Sequence, residues 1–414
     1  MIKRKLFDGL KSHIPKKEIS FIVGPRQAGK TTLMLLLKDY LGKKGEKTLF
    51  LNLDIEQDKR FFSSQSKLIR KIELELGKQK GFVFIDEIQR KEDAGLFLKG
   101  IYDMNLPYKF IVSGSGSVEL KEKIHESLVG RKRLFQLSTV SFEEFVNFKT
   151  DCRYENQLSE FFSVETEKVN EMLEEYMNFG GYPRVVTEEK MDEKLLLINE
   201  IYRSYIERDI SYLLKIRKAE EFSHLIKIMA AQLGNLVNFT ELTSTLGISV
   251  RTLKEYLWYL EKTFILKRIT PYFKNVRKEI TKSPIFYFYD LGLRNFAYGN
   301  FGHLEDRGFV FQNFVFNILS EKVRLSSSRI CFWRTKNKAE IDFVADLEKN
   351  PIPIEVKYKR LAVPKIPRAL RSFIDRYHPE KAIIVNLSLD ETIVLNQTKI
   401  HIIPFYRMLE SDYF

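Results

Sequence analysis

Residues 19–32 read Ile19-Ser20-Phe21-Ile22-Val23-Gly24-Pro25-Arg26-Gln27-Ala28-Gly29-Lys30-Thr31-Thr32. A short apolar run suited to a buried strand leads into G-x4-G-K-T, and the stretch Leu33–Tyr40 behind it predicts a helix. The glycines let the backbone curl until its N–H groups converge on phosphate oxygens, while the following helix aims its positive end at the same anion. Gly24, Pro25, Arg26, Gln27, Ala28, Gly29, Lys30, Thr31 and Thr32 thus form the expected phosphate cradle. Lys30 is placed to reach the β and γ phosphates, and the Thr31 hydroxyl to hold Mg2+. The chain is expected to bind a nucleoside triphosphate.

Outward from this turn, strand-like runs recur at Glu18–Val23, Thr48–Leu53, Gly81–Ile85, Lys109–Val112 and Arg133–Leu137. Helical segments separate the first four, which predicts a parallel sheet covered on both faces. Phe82-Val83-Phe84-Ile85-Asp86-Glu87-Ile88-Gln89 then sets two acids at the carboxyl end of a buried strand, the end where open parallel sheets take ligands. Asp86 is assigned to the Mg2+-bound water and Glu87 to the attacking water, as general base. Thr48–Leu53 falls between the phosphate loop and the acidic strand in chain order. That order fits NTPases with an additional catalytic glutamate and sets the chain apart from Ras-like folds. Phe110-Ile-Val-Ser113-Gly-Ser115-Gly-Ser117 ends a further strand with hydroxyls. Ser113, with Ser115 as the alternative, is the candidate for orienting the water or reading the γ-phosphate. In Ser127–Arg133, Arg131 is the candidate cation for transition-state charge, acting within its own chain or from a neighbouring subunit.

Composition bounds the rest. A chain of 414 residues implies two or three domains, each with its own core. Its apolar runs are far too short to cross a bilayer, and no stretch of signal-peptide length follows the basic Met1–Lys5. The two cysteines, Cys152 and Cys331, form no CxxC pair, which agrees with a reducing cytoplasm. A formal net charge of +13 favours polyanionic partners, double-stranded DNA among them, without requiring one.

From Glu155 to about Arg217 apolar residues recur at helical intervals, broken by the stop Gly180-Gly181-Tyr182-Pro183. Phe222–Leu233, Asn238–Leu246 and Val250–Lys262 follow as helices with Gly247-Ile248-Ser249 as a turn. Strand-like Ile265–Tyr272 and Ile285–Tyr289 come next, the spacing of a winged helix-turn-helix. Arg251, Lys254, Lys274, Arg277 and Lys278 are candidates for phosphate contacts, although the same fold also serves as a protein-contact module. Farther on, Glu340–Ala345 and Ile352–Tyr358 read as adjacent strands, with a turn through Asn350-Pro351. Asp342, Glu355 and Lys357 form a D…E-x-K constellation. There two carboxylates are expected to share a second divalent cation, with the lysine placed to orient or deprotonate a water attacking phosphate. Lys359, Arg360, Lys365, Arg368, Arg371, Arg376 and Lys381 crowd the chain just after it.

Taken together, Gly24–Thr32, Phe82–Gln89, Ser113–Ser115, Gly130-Arg131 followed by Ser141-Phe-Glu-Glu-Phe145, and Phe179-Gly-Gly-Tyr-Pro183 resemble the prokaryotic AAA-type ATPases that carry a C-terminal DUF4143 domain. The resemblance implies ATP as the nucleotide and an ATPase related to the AAA+ and STAND groups, in which nucleotide state drives a conformational switch. It makes the stretch around Gly180 a lid, and its C-terminal portion is similar to PD-(D/E)XK nucleases. Gln312 departs from that pattern, standing where an acid is often found. The expected fold class is α/β. Residues 1–150 form a phosphate-loop NTPase core with a parallel sheet, and 151–218 a helical lid or connector. Residues 219–290 form a winged helix, and 291–414 a small α/β nuclease-like domain. Two other functions stay open: a metal-dependent nuclease gated by ATP, and a STAND-like signalling switch that binds a protein partner.

Overall fold

The computed structural model describes residues 1–115, 127–205, 219–273, 282–325, 327–335, 337, 339–347 and 350–410. Strands β1 (Ile19–Gly24), β2 (Thr48–Asn52), β3 (Gly81–Asp86), β4 (Tyr108–Ser115) and β5 (Lys132–Gln136) form one sheet in the order β2-β3-β4-β1-β5. Every pairing in it is parallel. Alternation along the strands gives each face a core. Ile19, Phe21, Val83 and Ile85 pack with Leu68, Ile72, Leu98 and Ile101, while Ile22, Phe82 and Phe84 pack with Leu33, Met34 and Leu37. β2, between the loop and the acids in sequence, lies at the edge, and β4 is the strand that separates β1 from β3.

The C-terminal third forms a second sheet. Its strands are β8 (Arg329–Arg334), β9 (Glu340–Leu347), β10 (Asn350–Val356), β11 (Lys381–Asn386), β12 (Glu391–Leu395) and β13 (Thr398–Pro404), in the order β12-β13-β11-β10-β9-β8. Asn350 and Pro351 already belong to β10, paired with Leu347 and Asp346, so the expected turn there is strand. Helix Arg368–Tyr377 covers one face through Leu370, Phe373 and Ile374. Helix Arg307–Lys322 covers the other through Phe311, Phe314 and Val315.

Between the sheets run helices Phe142–Lys149, Thr166–Phe179, Met191–Arg203, Ala219–Ala231, Phe239–Leu246 and Val250–Lys262. They are followed by an antiparallel pair, β6 (Leu266–Ile269) and β7 (Ile285–Phe288). Arg251 and Lys254 are exposed on the third helix of the 219–262 trio, whereas Lys274, Arg277 and Lys278 lie outside the described residues. These helices do not own separate cores. One apolar cluster runs from Val140 through Phe222, Leu257, Tyr287 and Phe314 to Met408. Among the described residues, no helix is long and apolar enough to cross a membrane.

Candidate nucleotide site and a second acidic site

The phosphate loop leaves β1 at Gly24, where the chain passes so close to its neighbour that an added Cβ would stand 2.0 Å from the Leu137 carbonyl oxygen. Gln27 at φ 55° and Gly29 at φ 92° then curl the backbone, and Lys30, Thr31 and Thr32 open the helix Lys30–Lys43. No main-chain acceptor among the described residues takes the N–H groups of Gln27, Ala28 or Gly29, an arrangement that suits an anion. Lys30 Nζ donates to the carbonyls of Pro25 (2.7 Å) and Gly24 (3.1 Å), folded over the loop it is expected to serve.

Three residues converge on Asp86, which is fully buried. Thr31 Oγ1 donates to Asp86 Oδ2 at 2.7 Å. The Ser113 hydroxyl donates to Asp86 Oδ1, and the Glu87 N–H donates to the same oxygen at 3.1 Å. Glu87 occupies the left-handed region at φ 56°, a turn that swings its side chain off the line of β3, and Gln89 Nε2 donates to its Oε2. Burial pushes the Glu87 carboxyl above its ordinary value, with the nearby Lys30 ammonium pulling the other way. A divalent cation fits the oxygens of Thr31 and Asp86, both hard ligands.

The two γ-phosphate candidates stand toward opposite ends of the parallel sheet. Ser113 is fully buried at the carboxyl-terminal part of β4, and its hydroxyl donates to Asp86. The side chain of Ser115 lies outside the described residues. Arg131 does not reach this chain's loop. It precedes β5, with its carbonyl accepting from Ile19 N–H, and its guanidinium pairs with Asp103 at 2.7 Å. The whole of β1 separates it from Gly24, roughly 16 Å of strand.

Arg4 went unnoticed in the sequence. Its buried guanidinium donates to the carbonyls of Ala28 (2.9 Å) and Ser138 (2.6 Å) and pairs with Glu144 at 3.0 Å, tying the loop to the Ser141–Phe145 segment. Glu144 also accepts from the N–H groups of Lys5 and Ser141, completing a capping box on helix Phe142–Lys149. A lone arginine near a chain start carries no local signal of such a role.

The second sheet brings Asp342, Glu355 and Lys357 together as expected. Lys357 Nζ donates to Glu355 Oε1 at 2.6 Å, Asp342 Oδ2 accepts from Val356 N–H at 2.7 Å, and Asp342 Oδ1 accepts from Gln312 Nε2 at 2.8 Å. Glu355 Oε2 is buried with no hydrogen-bond partner. Burial and the facing Glu355 push the Asp342 carboxyl up to about 8, and burial raises that of Glu355 against the pull of Lys357. Asp342, Lys357, Gln312, Gly308, Phe309 and Tyr358 line a shallow cavity of about 350 Å³. Among the described residues no cluster of three acids, histidines or cysteines adds further ligands.

Residues 16–146 match the family described as an AAA domain. The chain carries an AAA domain. Downstream of it, residues 170–303 and 307–408 match two domains of unknown function, DUF8612 and DUF4143. Among curated relatives, an uncharacterized protein of Mycobacterium tuberculosis is 26% identical over 373 residues, covering 88% of this chain and 75% of its own. One of Methanocaldococcus jannaschii is 24% identical over 410 residues, covering 95% of this chain and 88% of its own. Among solved structures, a Walker-type ATPase of Pyrococcus abyssi shares 14% identity with a TM-score of 0.43, over 72% of this chain and 96% of that one. Cdc6p of Pyrobaculum aerophilum shares 10% identity with a TM-score of 0.29, over 76% of this chain and 96% of that one. The AAA domain accounts for the phosphate loop, Asp86 and Glu87; the Asp342 cluster belongs to the DUF4143 region.

Proposed function

We propose that the AAA domain binds and hydrolyses ATP with Mg2+, and that the nucleotide state rearranges this core against the C-terminal half, with DNA as a candidate partner. The Thr31–Asp86–Glu87 cluster carries this reading. It sets a hydroxyl and a carboxylate for the metal beside a second, half-buried carboxylate whose pKa is raised by burial, as suits a base. Thr31 and Asp86 would hold Mg2+, which would supply positive charge against the phosphates. Lys30 turns from the loop carbonyls to the phosphates, Gln89 aims Glu87 at the attacking water, and Glu87 takes the water's proton. Lys30→Ala is expected to lose ATP binding, and Glu87→Gln to bind ATP while turning it over about a hundred-fold more slowly or worse. Wild-type turnover by Glu87→Gln would refute the base assignment. Turnover measured with and without duplex DNA tests the partner, since a DNA-linked ATPase responds to it in a salt-dependent way.

The orphaned Glu355 Oε2 beside Asp342 favours a second reading, metal-dependent cleavage of a phosphodiester gated by ATP. Lys357 would orient the water there, and the exposed Lys359, Arg360, Lys365, Arg368 and Arg371 would track the backbone. Duplex DNA incubated with Mg2+ or Mn2+ and either the wild type or Asp342→Ala decides it. Equal cutting by both proteins rejects it.

A further inference from the structure

The phosphate loop touches the middle helices through a pair of tyrosines that no nucleotide motif contains. Tyr205, two residues beyond helix Met191–Arg203, presents its hydroxyl to the loop, and the Arg26 N–H donates to it at 3.0 Å. The Tyr182 hydroxyl donates to the same oxygen at 3.3 Å, and both rings are buried. Tyr182 belongs to the Phe179–Pro183 turn, which leans on the loop elsewhere too. Arg184 Nη1 donates to Gln27 Oε1 at 3.4 Å, and Pro183 Cγ stands 3.9 Å from a Cβ built on Gly29. The far side of that turn is held just as firmly. Gly181 N–H donates to the buried Asp290 Oδ2 at 2.8 Å, Asp290 Oδ1 caps helix Leu291–Tyr298 through Leu293 N–H, and a Cβ on Gly292 would fall 2.0 Å from the Phe179 carbonyl.

We propose that Tyr205 is a positioning residue that competes with bound phosphate for the loop and passes the result to helix Leu291–Tyr298. The inference rests on the reading that Gly24–Thr32 holds a triphosphate. Arg26 N–H is one of the amides of an anion-binding turn, and a single N–H cannot serve a phenol and a phosphate oxygen at full strength. A charged oxygen is the stronger acceptor. Phosphate therefore draws the amide away, Tyr205 turns toward Tyr182, and the turn carrying Gly181 shifts against Asp290. By linkage, whatever holds Asp290 and its helix in place also changes nucleotide affinity.

The test is ATP binding by the full chain, measured for the wild type, Lys30→Ala and Tyr205→Phe, alongside thermal unfolding without nucleotide. Tyr205→Phe keeps the ring and removes the competing oxygen. Its affinity for ATP should tighten about three- to ten-fold, the worth of one neutral hydrogen bond, while its unliganded melting temperature falls. A merely structural tyrosine would lower the melting temperature without tightening binding, and that result overturns the proposal. No ATP binding by the wild type would instead overturn the reading of the loop. A second measurement leaves the hydroxyl in place. Fluorotyrosine at position 205 should show a fluorine NMR shift on saturation with ATP, and none in the Lys30→Ala background. A static resonance in the otherwise wild-type chain rejects the competition.

Discussion

The Thr31 hydroxyl lies 2.7 Å from the Asp86 carboxylate although β4 stands between the strands that carry them. The contact spans the sheet because Thr31 opens the helix after β1 while Asp86 ends β3, and both strands run the same way. Asp86→Asn keeps the shape and removes the charge proposed to orient the metal. Turnover should fall about 10- to 100-fold and recover in part as Mg2+ is raised, in a titration of rate against Mg2+.

As the proposed base, Glu87 should set the pH dependence of turnover. Burial raises its carboxyl above the ordinary range, and a base works only when deprotonated. Turnover should therefore climb with pH along an acid limb displaced upward from that of an exposed glutamate. Rates across pH 5 to 8 measure the limb, which should be missing from the residual rate of Glu87→Gln.

Two glycines of the AAA domain should respond with opposite signs. Gly24→Ala forces a Cβ against the Leu137 carbonyl and should cost about 1–3 kcal/mol, with ATP binding lost as the loop shifts. Gly42→Ala meets nothing within 4 Å near the end of helix Lys30–Lys43 and should stabilise the fold by up to about 1 kcal/mol. Chemical denaturation of both variants reads the contrast.

Asp342 gives a stability signature. The folded chain holds its proton more tightly than the unfolded one, because burial and Glu355 lift its carboxyl from 3.8 to about 8. The stability this adds is complete below about pH 4 and is lost as pH rises toward 8. Asp342→Asn carries no such proton, so its melting temperature should decline less than that of the wild type between pH 5 and 8.

The phosphate loop, the acid pair and the D…E-x-K constellation were legible because each is local, or follows from pairing neighbouring strands. Asp342 and Glu355 meet through the antiparallel register of β9 and β10, which two short runs separated by a turn already imply. The within-chain alternative for Arg131 failed because a basic residue beside a glycine says nothing about which end of a strand it occupies. In a parallel pair, a residue that enters β5 and one that leaves β1 lie at opposite ends of the strands. Arg4 and Tyr205 act from 24 and 179 positions away from the loop atoms they bind, distances at which residue spacing predicts nothing. Helical periodicity showed which side of each middle helix is apolar but not which neighbour covers it, so boundaries at 218 and 290 cross a continuous core.

Phe142, just past the last strand of the AAA sheet, packs edge-on against Phe314 and Phe405 of the DUF4143 region at 5.4 and 5.8 Å. Grafting a foreign C-terminal third onto this chain would strip that aromatic knot. The segment after Val140 therefore shares one apolar core with the C-terminal third, and neither can be replaced without the other.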